Sequence, residues 1–166
     1  MRRSLAVVGA VVAALALAGG TAGAAEAPVL GPDGYKDLEL GQSEQEAVDT
    51  GLLVDREQPG DCIFYRLRPE EGKPNPGGGV FIDPHLGVVM IGGTDKIRTP
   101  EGVGFGTPLQ EVRESYPDLQ QQPGSDFVYE TDVPEHPELQ YTFAVDEGEL
   151  VSDFGLEAPS MGACGS

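Results

Sequence analysis

The chain repeats its own pattern once, roughly 64 residues further on. Residues 38–54 and 61–68 recur as residues 103–119 and 125–132, with similar residue types at the positions that control folding. What repeats is helix caps, turns and apolar core positions rather than a cluster of reactive side chains. The duplication therefore constrains the fold more strongly than it constrains the chemistry.

Each copy begins with the signals of a helix start. Ser43 with Glu46 forms a capping box, and Thr107 with Gln110 repeats it, with Pro108 at the first helical position. Two short helices are therefore predicted to begin there. The apolar residues that follow at three- and four-residue spacing predict one buried stripe on each helix. They are Val48 and Leu52 in the first helix and Leu109, Val112 and Tyr116 in the second.

After each helix come alternating segments rich in aromatic and β-branched residues, which are typical of antiparallel strands. They cover residues 63–67, 79–82 and 88–91 in the first copy, and residues 127–131, 140–145 and 149–154 in the second. The sequence therefore predicts an α+β fold of two tandem repeats, each a short helix packed on a three- or four-stranded antiparallel sheet. Repeat one is expected at residues 35–95, after an N-terminal segment at 25–34, and repeat two at 96–156, followed by a tail at 157–166.

The N-terminus has the organisation of a secretory signal peptide at residues 1–24. Arg2 and Arg3 precede an apolar run over residues 5–18, and small residues follow, so we expect cleavage after Ala24. An uncleaved membrane anchor is the alternative, but the run of about 14 residues is shorter than the roughly 20 that span a bilayer. The sequence therefore predicts a secreted, extracellular protein without stable membrane insertion after cleavage.

The charge balance excludes two classes of partner. The 166 residues include 28 Asp and Glu against 10 Lys and Arg, a formal net charge of −18. Cleavage after Ala24 would remove two arginines and no acid, which leaves a net charge of about −20. So acidic a chain repels nucleic acid and anionic lipid headgroups. The acidity serves either solubility outside the cell or the attraction of a basic partner.

Cys62 and Cys164 are the two cysteines of the chain. In a small exported protein such a pair most often forms one disulfide, which here would tether the tail to the first strand of repeat one. A reactive thiol and an intermolecular bridge are the alternatives. The spacing of a Cys-x-x-Cys metal site does not occur, and we predict neither a metal nor a cofactor.

The helix starts and the strand meander together carry a resemblance. Gly-x-(Ser/Thr) opens a helix, with Val five residues after the hydroxyl, and a duplicated strand pattern follows. In this the chain resembles the tandem repeats of secreted β-lactamase-inhibitor proteins, and the unit resembles the small lipoprotein of the outer-membrane barrel-assembly machinery. Residues 99–106 with Leu109, Val112, Tyr116 and Pro117 are similar to an uncharacterised group of exported soil-bacterial proteins. The resemblance implies binding to a protein through the exposed sheet face, in an inhibitor-like role.

The residues give little support to catalysis. His85 and His136 each stand beside proline in a predicted turn, where a solvated histidine is expected. The sequence contains no Gly-x-Ser-x-Gly elbow that would expose a nucleophilic serine. We therefore predict a protein that is not an enzyme and has no catalytic residues.

One strand of the first repeat carries the candidate binding residues. If the odd-numbered residues of 63–67 face the helix, then Phe64, Arg66 and Arg68 share the opposite face, with Phe81 on a neighbouring strand. Aromatic residues and arginine are enriched at the centres of protein interfaces. The alternative is that the two arginines only neutralise the carboxylates at positions 70 and 71.

The sequence thus predicts a secreted binding protein whose partner is an extracellular or cell-wall protein. Two alternatives stay open, a small extracellular hydrolase and a structural envelope protein without a specific ligand. A pocket lined by a buried carboxylate or histidine with a shifted pKa would favour the enzyme. A shallow sheet face with exposed aromatic residues would favour binding.

Overall fold

A computed structural model describes residues 27–165 of the chain. The predicted signal peptide and its cleavage site lie outside the described residues. In chain order the first half contains β1 (Leu30–Gly31), β2 (Gly34–Tyr35), α1 (Glu44–Asp49), β3 (Leu53–Glu57), β4 (Ile63–Leu67), β5 (Val80–Asp83) and β6 (Gly87–Gly92). The second half contains α2 (Leu109–Ser115), β7 (Gln120–Gln121), β8 (Val128–Val133), β9 (His136–Val145) and β10 (Val151–Glu157). No helix among the described residues is long and apolar enough to cross a membrane.

Eight strands form one antiparallel sheet in the order β3-β4-β5-β6-β10-β9-β8-β7, and β1 pairs with β2 in a separate ribbon. The two halves meet where β6 pairs with β10, with Gly92 opposite Gly155 and Met90 opposite Glu157. Each half contributes its last strand to this seam, so the backbone hydrogen bonds continue from one half into the other. The predicted α+β class is confirmed, as a large antiparallel sheet with few helices.

Both helices pack on the same face of the sheet, which we call the inner face. Ala47 of α1 and Val112 of α2 belong to the same buried cluster as the inner-face side chains of the strands, such as Ile82 and Phe143. The N-terminal ribbon joins this core, because the hydroxyl of Tyr141 donates a hydrogen bond to the carbonyl oxygen of Leu30 at 2.9 Å. The core thus lies between the inner face and the helices.

The first predicted helix start is confirmed and its predicted stripe is only partly right. The Ser43 hydroxyl accepts a hydrogen bond from the Glu46 amide, and the Glu46 carboxylate accepts one from the Ser43 amide, as a capping box requires. Leu52 is buried as predicted but lies beyond α1, which ends at Asp49, whereas Val48 remains 37% exposed and Ala47 is buried instead. The short helix meets the sheet through this small side chain.

The predicted capping box at Thr107 is wrong. Its hydroxyl accepts a hydrogen bond from the Gly104 amide at 3.1 Å, within the turn before the helix. Pro108 occupies the cap position, with the same extended backbone as Ser43 (φ −62° and −61°) and no side-chain cap. The sequence alignment matched the Ser43 hydroxyl with that of Thr107, whereas the residue that matches Ser43 in backbone conformation is Pro108. The two helices are therefore offset by one residue from the predicted alignment, because backbone conformation defines the cap position. The buried stripe of Leu109, Val112 and Tyr116 is as predicted.

Cys62 and Cys164 form the predicted disulfide, with Cα atoms 4.9 Å apart. After β10 the tail runs beside β6 and then reaches β5, where it ends in a short 3-10 helix, Gly162–Gly165. Its backbone is held on the way, since the Ala158 amide donates to the Val89 carbonyl and the Ala163 amide donates to the Asp83 carboxylate, both at 2.8 Å.

Candidate functional site

The sheet face opposite the helices, which we call the outer face, is the largest candidate surface. Along β4, Phe64 and Arg66 alternate with the core residues Ile63, Tyr65 and Leu67, so their side chains point outward. Among the described residues, cover on this face comes from the C-terminal tail, which is bonded to Cys62, and from the end of the loop at residues 72–79, where Gly79 lies against Phe64, rather than from α1 or α2. Much of the outer face is therefore available to a partner.

Phe64, Phe81 and Arg66 form a cluster on this face, which we call the aromatic cluster. Phe64 and Phe81 are direct cross-strand partners, and their rings meet edge to face with centroids 5.0 Å apart. The Arg66 guanidinium lies 5.3 Å from the centroid of the Phe64 ring, a cation–π distance. Phe64 is only 7% exposed, whereas Phe81 and Arg66 are half-buried and reach solvent.

Arg68 lies apart from this cluster. It follows the end of β4, and its Nη1 donates to the Gly51 carbonyl at 2.9 Å. Its Nε lies 3.9 Å from the Glu70 carboxylate, the neutralising role considered for it from the sequence. The structure therefore brings together three of the four predicted binding residues and places the fourth at the sheet edge.

Two glycines allow the large outward side chains to lie flat on the sheet. A Cβ on Gly79 would lie 2.5 Å from ring carbons of Phe64, and a Cβ on Gly155 would lie 2.6 Å from the Cε of Met90. Both distances are too short for real atoms, so each side chain occupies the place that a larger residue would take. The glycines thus explain how Phe64 is nearly buried on an otherwise open face.

Beside Met90 lies a shallow pocket of about 190 Å³, which we call the Asp153 pocket. Besides Asp153 it is lined by Met90, Val128, Thr142, Ala144, Phe154 and Gly155. A register shift between Val151 and Asp153 turns Asp153 outward, opposite Ala144. Sequence analysis missed this site, because regular alternation from the buried Val151 would have placed Asp153 on the inner face.

The Asp153 carboxylate is unusual in its surroundings. Burial raises the pKa of this carboxyl from 3.8 to about 6, and the Phe154 amide, which donates to Oδ1 at 3.0 Å, opposes part of the rise. No Lys, Arg or His of the described chain forms an ion pair with Asp153. A lone carboxylate in a largely apolar pocket is a common feature of functional sites.

Glu157 extends this acidic end of the outer face. Burial raises the pKa of the Glu157 carboxyl, and the negative charge of Glu130 raises it further. The hydrogen bond with the Thr142 hydroxyl lowers this pKa and offsets part of the rise. The outer face therefore has a basic and aromatic end on β4 and β5, and an acidic end on β10, β9 and β8.

His85 lies in the turn between β5 and β6, and His136 is the first residue of β9. Ser43 and His85 line the same polar pocket of about 320 Å³, but the Ser43 hydroxyl donates to the Glu46 carboxylate at 2.6 Å as part of the helix cap. The Nδ1 of His136 lies 3.3 Å from Glu138 in the β8–β9 turn region. Within residues 27–165 no group of three or more His, Cys, Asp or Glu side chains is placed to hold a metal ion.

Comparison with known proteins gives a fold relative and no assigned activity. No protein-family model matches the chain, and no curated protein matches it. The crystal structure of the uncharacterized protein yfeY from Escherichia coli is similar, with a TM-score of 0.51 and 14% sequence identity. The match covers 78% of this chain and 99% of that chain. At this identity the likeness concerns the fold alone.

The raised pKa of Asp153 makes a prediction about stability. A group whose pKa is higher in the folded state destabilises the fold when it is ionised, so its contribution improves as the pH falls from about 6 to about 4. Asp153→Asn removes the charge, and we expect it to raise the free energy of unfolding at pH 7.5 by about 1 to 2 kcal/mol after allowance for solvent screening. This gain should largely disappear near pH 4.

Urea unfolding of the two proteins at several pH values measures this effect, because contributions shared with the wild type cancel at each pH. Asp132→Asn, the same charge change at an exposed position of β8, is the control and should stay within about 0.5 kcal/mol of the wild type. A loss of stability on Asp153→Asn at pH 7.5 would contradict the burial argument.

Proposed function

We propose that the protein is a non-enzymatic binding protein that captures an extracellular or cell-wall protein through its outer face. The observation that carries the proposal is the aromatic cluster, an edge-to-face phenylalanine pair under a half-buried arginine on a face that neither α1 nor α2 covers. Tyrosine, tryptophan, phenylalanine and arginine are the residue types that dominate binding energy at interfaces. The resemblance to secreted inhibitors, which implies binding through the same face, agrees with this function and with an inhibitor-like role.

The charges of the outer face favour a partner with both signs of charge. Arg66 stands at one end of the face, and Asp153 with Glu157 stands at the other, separated by Phe81 and Met90. A partner that presents a carboxylate to Arg66 and cations to the acidic end would be complementary along the whole face. The chain as a whole carries a formal net charge of −18, which disfavours docking elsewhere by an acidic protein.

We propose that the protein works outside the cytoplasm. The disulfide between Cys62 and Cys164 fits an extracellular or periplasmic protein, because such bonds persist in oxidising compartments. The predicted signal peptide at residues 1–24 supports secretion.

We also propose that the fold is a duplicated helix-on-sheet unit. Tyr65 of β4 lies opposite Val80, and Tyr129 of β8 lies opposite Phe143, as the repeat alignment requires. Both halves also shift register at the same point, between the last two strands. These matches support repeats at residues 35–95 and 96–156.

A hydrolase is the second candidate, and the raised pKa of Asp153 is the observation that favours it. The Asp153 pocket holds this one titratable side chain among its lining residues. Glycoside hydrolysis generally uses two carboxylates that flank the bond, and acyl transfer uses a nucleophile beside a base. The pocket provides neither pair, so binding is the better supported function.

Capture by the immobilised mature protein, residues 25–166, from culture supernatant and cell-wall extract of the source cells tests the proposal. A captured protein is then titrated against wild type and Arg66→Glu. We expect Arg66→Glu to weaken binding at least about ten-fold, because it reverses the charge at the centre of the aromatic cluster.

Arg68→Glu makes the same charge change at the sheet edge and serves as the matched control. It should leave the affinity within about two-fold of the wild type, and urea unfolding should show that both variants remain folded. Equal affinities for wild type and Arg66→Glu would refute the outer face as the docking surface.

A further inference from the structure

We infer that the Asp153 pocket binds an alkylammonium group, the chemistry of a lysine side chain, and that this lysine belongs to the protein captured on the outer face. The inference rests on the proposed function for the source of the lysine. It deepens that function by naming one chemical group that the partner presents.

The shape of the pocket suits a short aliphatic chain. Met90, Val128 and Ala144 provide apolar walls, and the Met90 methyl group lies over Gly155. The volume of about 190 Å³ has room for on the order of six groups the size of a water molecule. A butylammonium group, with four carbons and one nitrogen, fits within that number.

The charge of the pocket selects a cation. Asp153 has no ion-pair partner among the described residues, and burial disfavours its ionised form. A cation that enters the pocket would pair with the carboxylate and stabilise its ionised form. Glu157 and Glu130 lie on the same face outside the pocket, beyond Gly155 and Thr142. An anion would be repelled by the Asp153 carboxylate.

Lysine suits this pocket better than arginine. An ammonium is a compact charge on a four-carbon stem, so its donors can gather at the Asp153 end. A guanidinium carries five N–H donors in a planar fork. Several of these donors would face Met90, Val128 and Ala144, which offer no side-chain acceptor, and unpaired buried donors oppose binding.

The test uses n-butylammonium chloride as a probe of the mature protein, followed by NMR shifts of the Met90 methyl group and the Gly155 amide. At pH 7.5 we expect saturable shifts at both sites. The neutral isostere n-butanol should bind at least ten-fold more weakly, and Asp153→Asn should weaken n-butylammonium at least ten-fold. Asp132→Asn removes a charge from the same face outside the pocket and should change the affinity less than two-fold.

The pH dependence adds a second measure. Lowering the pH from 7.5 to 5.0 should weaken n-butylammonium about ten-fold, because Asp153 then takes up a proton. The other acidic groups on this face are Glu157 on the same strand and Glu130 on β8, and neither lines the pocket. β6 contributes Met90, β9 contributes Thr142 and Ala144, and the loop contributes Gly78, none of which titrates. In Asp153→Asn the pH effect should fall to less than two-fold.

A blocked lysine, Nα-acetyl-lysine N-methylamide, separates a lysine in a protein from a free amine. It should bind at least as tightly as n-butylammonium, and failure to bind would overturn the assignment to a partner lysine. Equal affinities for n-butanol and n-butylammonium, or an unchanged affinity in Asp153→Asn, would overturn the site itself. If the probe binds but Arg66→Glu leaves the affinity for the captured protein unchanged, the docking face alone is refuted. If Arg66→Glu weakens that affinity but the probe does not bind, the pocket alone is refuted.

Discussion

Replacing Cys62 and Cys164 together by alanine is expected to lower the free energy of unfolding by about 4 kcal/mol. The two residues are 102 positions apart, and in the chain-entropy model a cross-link that closes a loop of about 100 residues contributes on the order of 4 to 5 kcal/mol. The disulfide is also what fastens the tail across β6 and β5. Without it, the hydrogen bond from the Ala163 amide to the Asp83 carboxylate must hold a free chain end.

Urea unfolding of the double variant against the oxidised wild type measures this contribution. Wild type kept reduced during unfolding is the control and should agree with the double variant, since both lack the same cross-link. Alanine suits position 62, because Cys62 is buried and a small apolar residue introduces no polar group there. A difference of less than about 1 kcal/mol would mean that the unfolded chain is not restrained by the bridge.

Gly87→Ala is expected to destabilise the fold by about 3 kcal/mol. Gly87 ends the turn between β5 and β6 with a φ of +80°, a region that costs an L-residue about 1 kcal/mol. A Cβ there would lie 2.4 Å from the carbonyl oxygen of Gln42 and 2.5 Å from that of Gly41. These are backbone atoms just before α1, and the strand is hydrogen-bonded to them through Val88, so neither side can easily move.

Gly60→Ala is the matched control for this substitution. Gly60 has a similar φ of +65°, but nothing lies within 4 Å of the position that its Cβ would take. It should therefore show only the conformational effect of about 1 kcal/mol, and the difference between the two variants measures the close approach at Gly87. Equal losses in urea unfolding would show that the turn can shift away from α1.

Local chemistry allowed much of the fold to be predicted. The capping box at Ser43 and the strand at residues 63–67 each depend on a few neighbouring residues, and the disulfide between Cys62 and Cys164 was predicted from the number of cysteines and the predicted export. The errors arose where two local signals competed. Thr107 has the residue type of a cap but serves the preceding turn, and Val48 has the hydrophobicity of a core residue but lies beside the smaller Ala47, which faces the sheet.

The candidate site was predicted in part for the same reason. Phe64, Arg66 and Phe81 follow from strict alternation on two adjacent strands, and the structure places them together. Arg68 lies beyond the end of β4, where alternation no longer applies. Phe127, the first residue of the predicted strand at 127–131, lies just before β8 beside the β9–β10 turn and is 59% exposed.

The sequence by itself determined the α+β class, the acidity, the first helix start and the pairing of the cysteines. The class and the helix start depend on residues close in the chain, the acidity depends on composition, and two cysteines allow one intramolecular pairing. Only the tertiary structure decided that β6 pairs with β10 and that a register shift after Val151 turns Asp153 to the outer face. No short sequence pattern indicates which distant strands will pair or where one strand carries an extra residue. Such an extra residue nevertheless moves the following side chain to the other face of the sheet. The Asp153 pocket exists for that reason, because the shift turns Asp153 outward and the distant pairing brings Met90 of β6 beside residues of β8, β9 and β10.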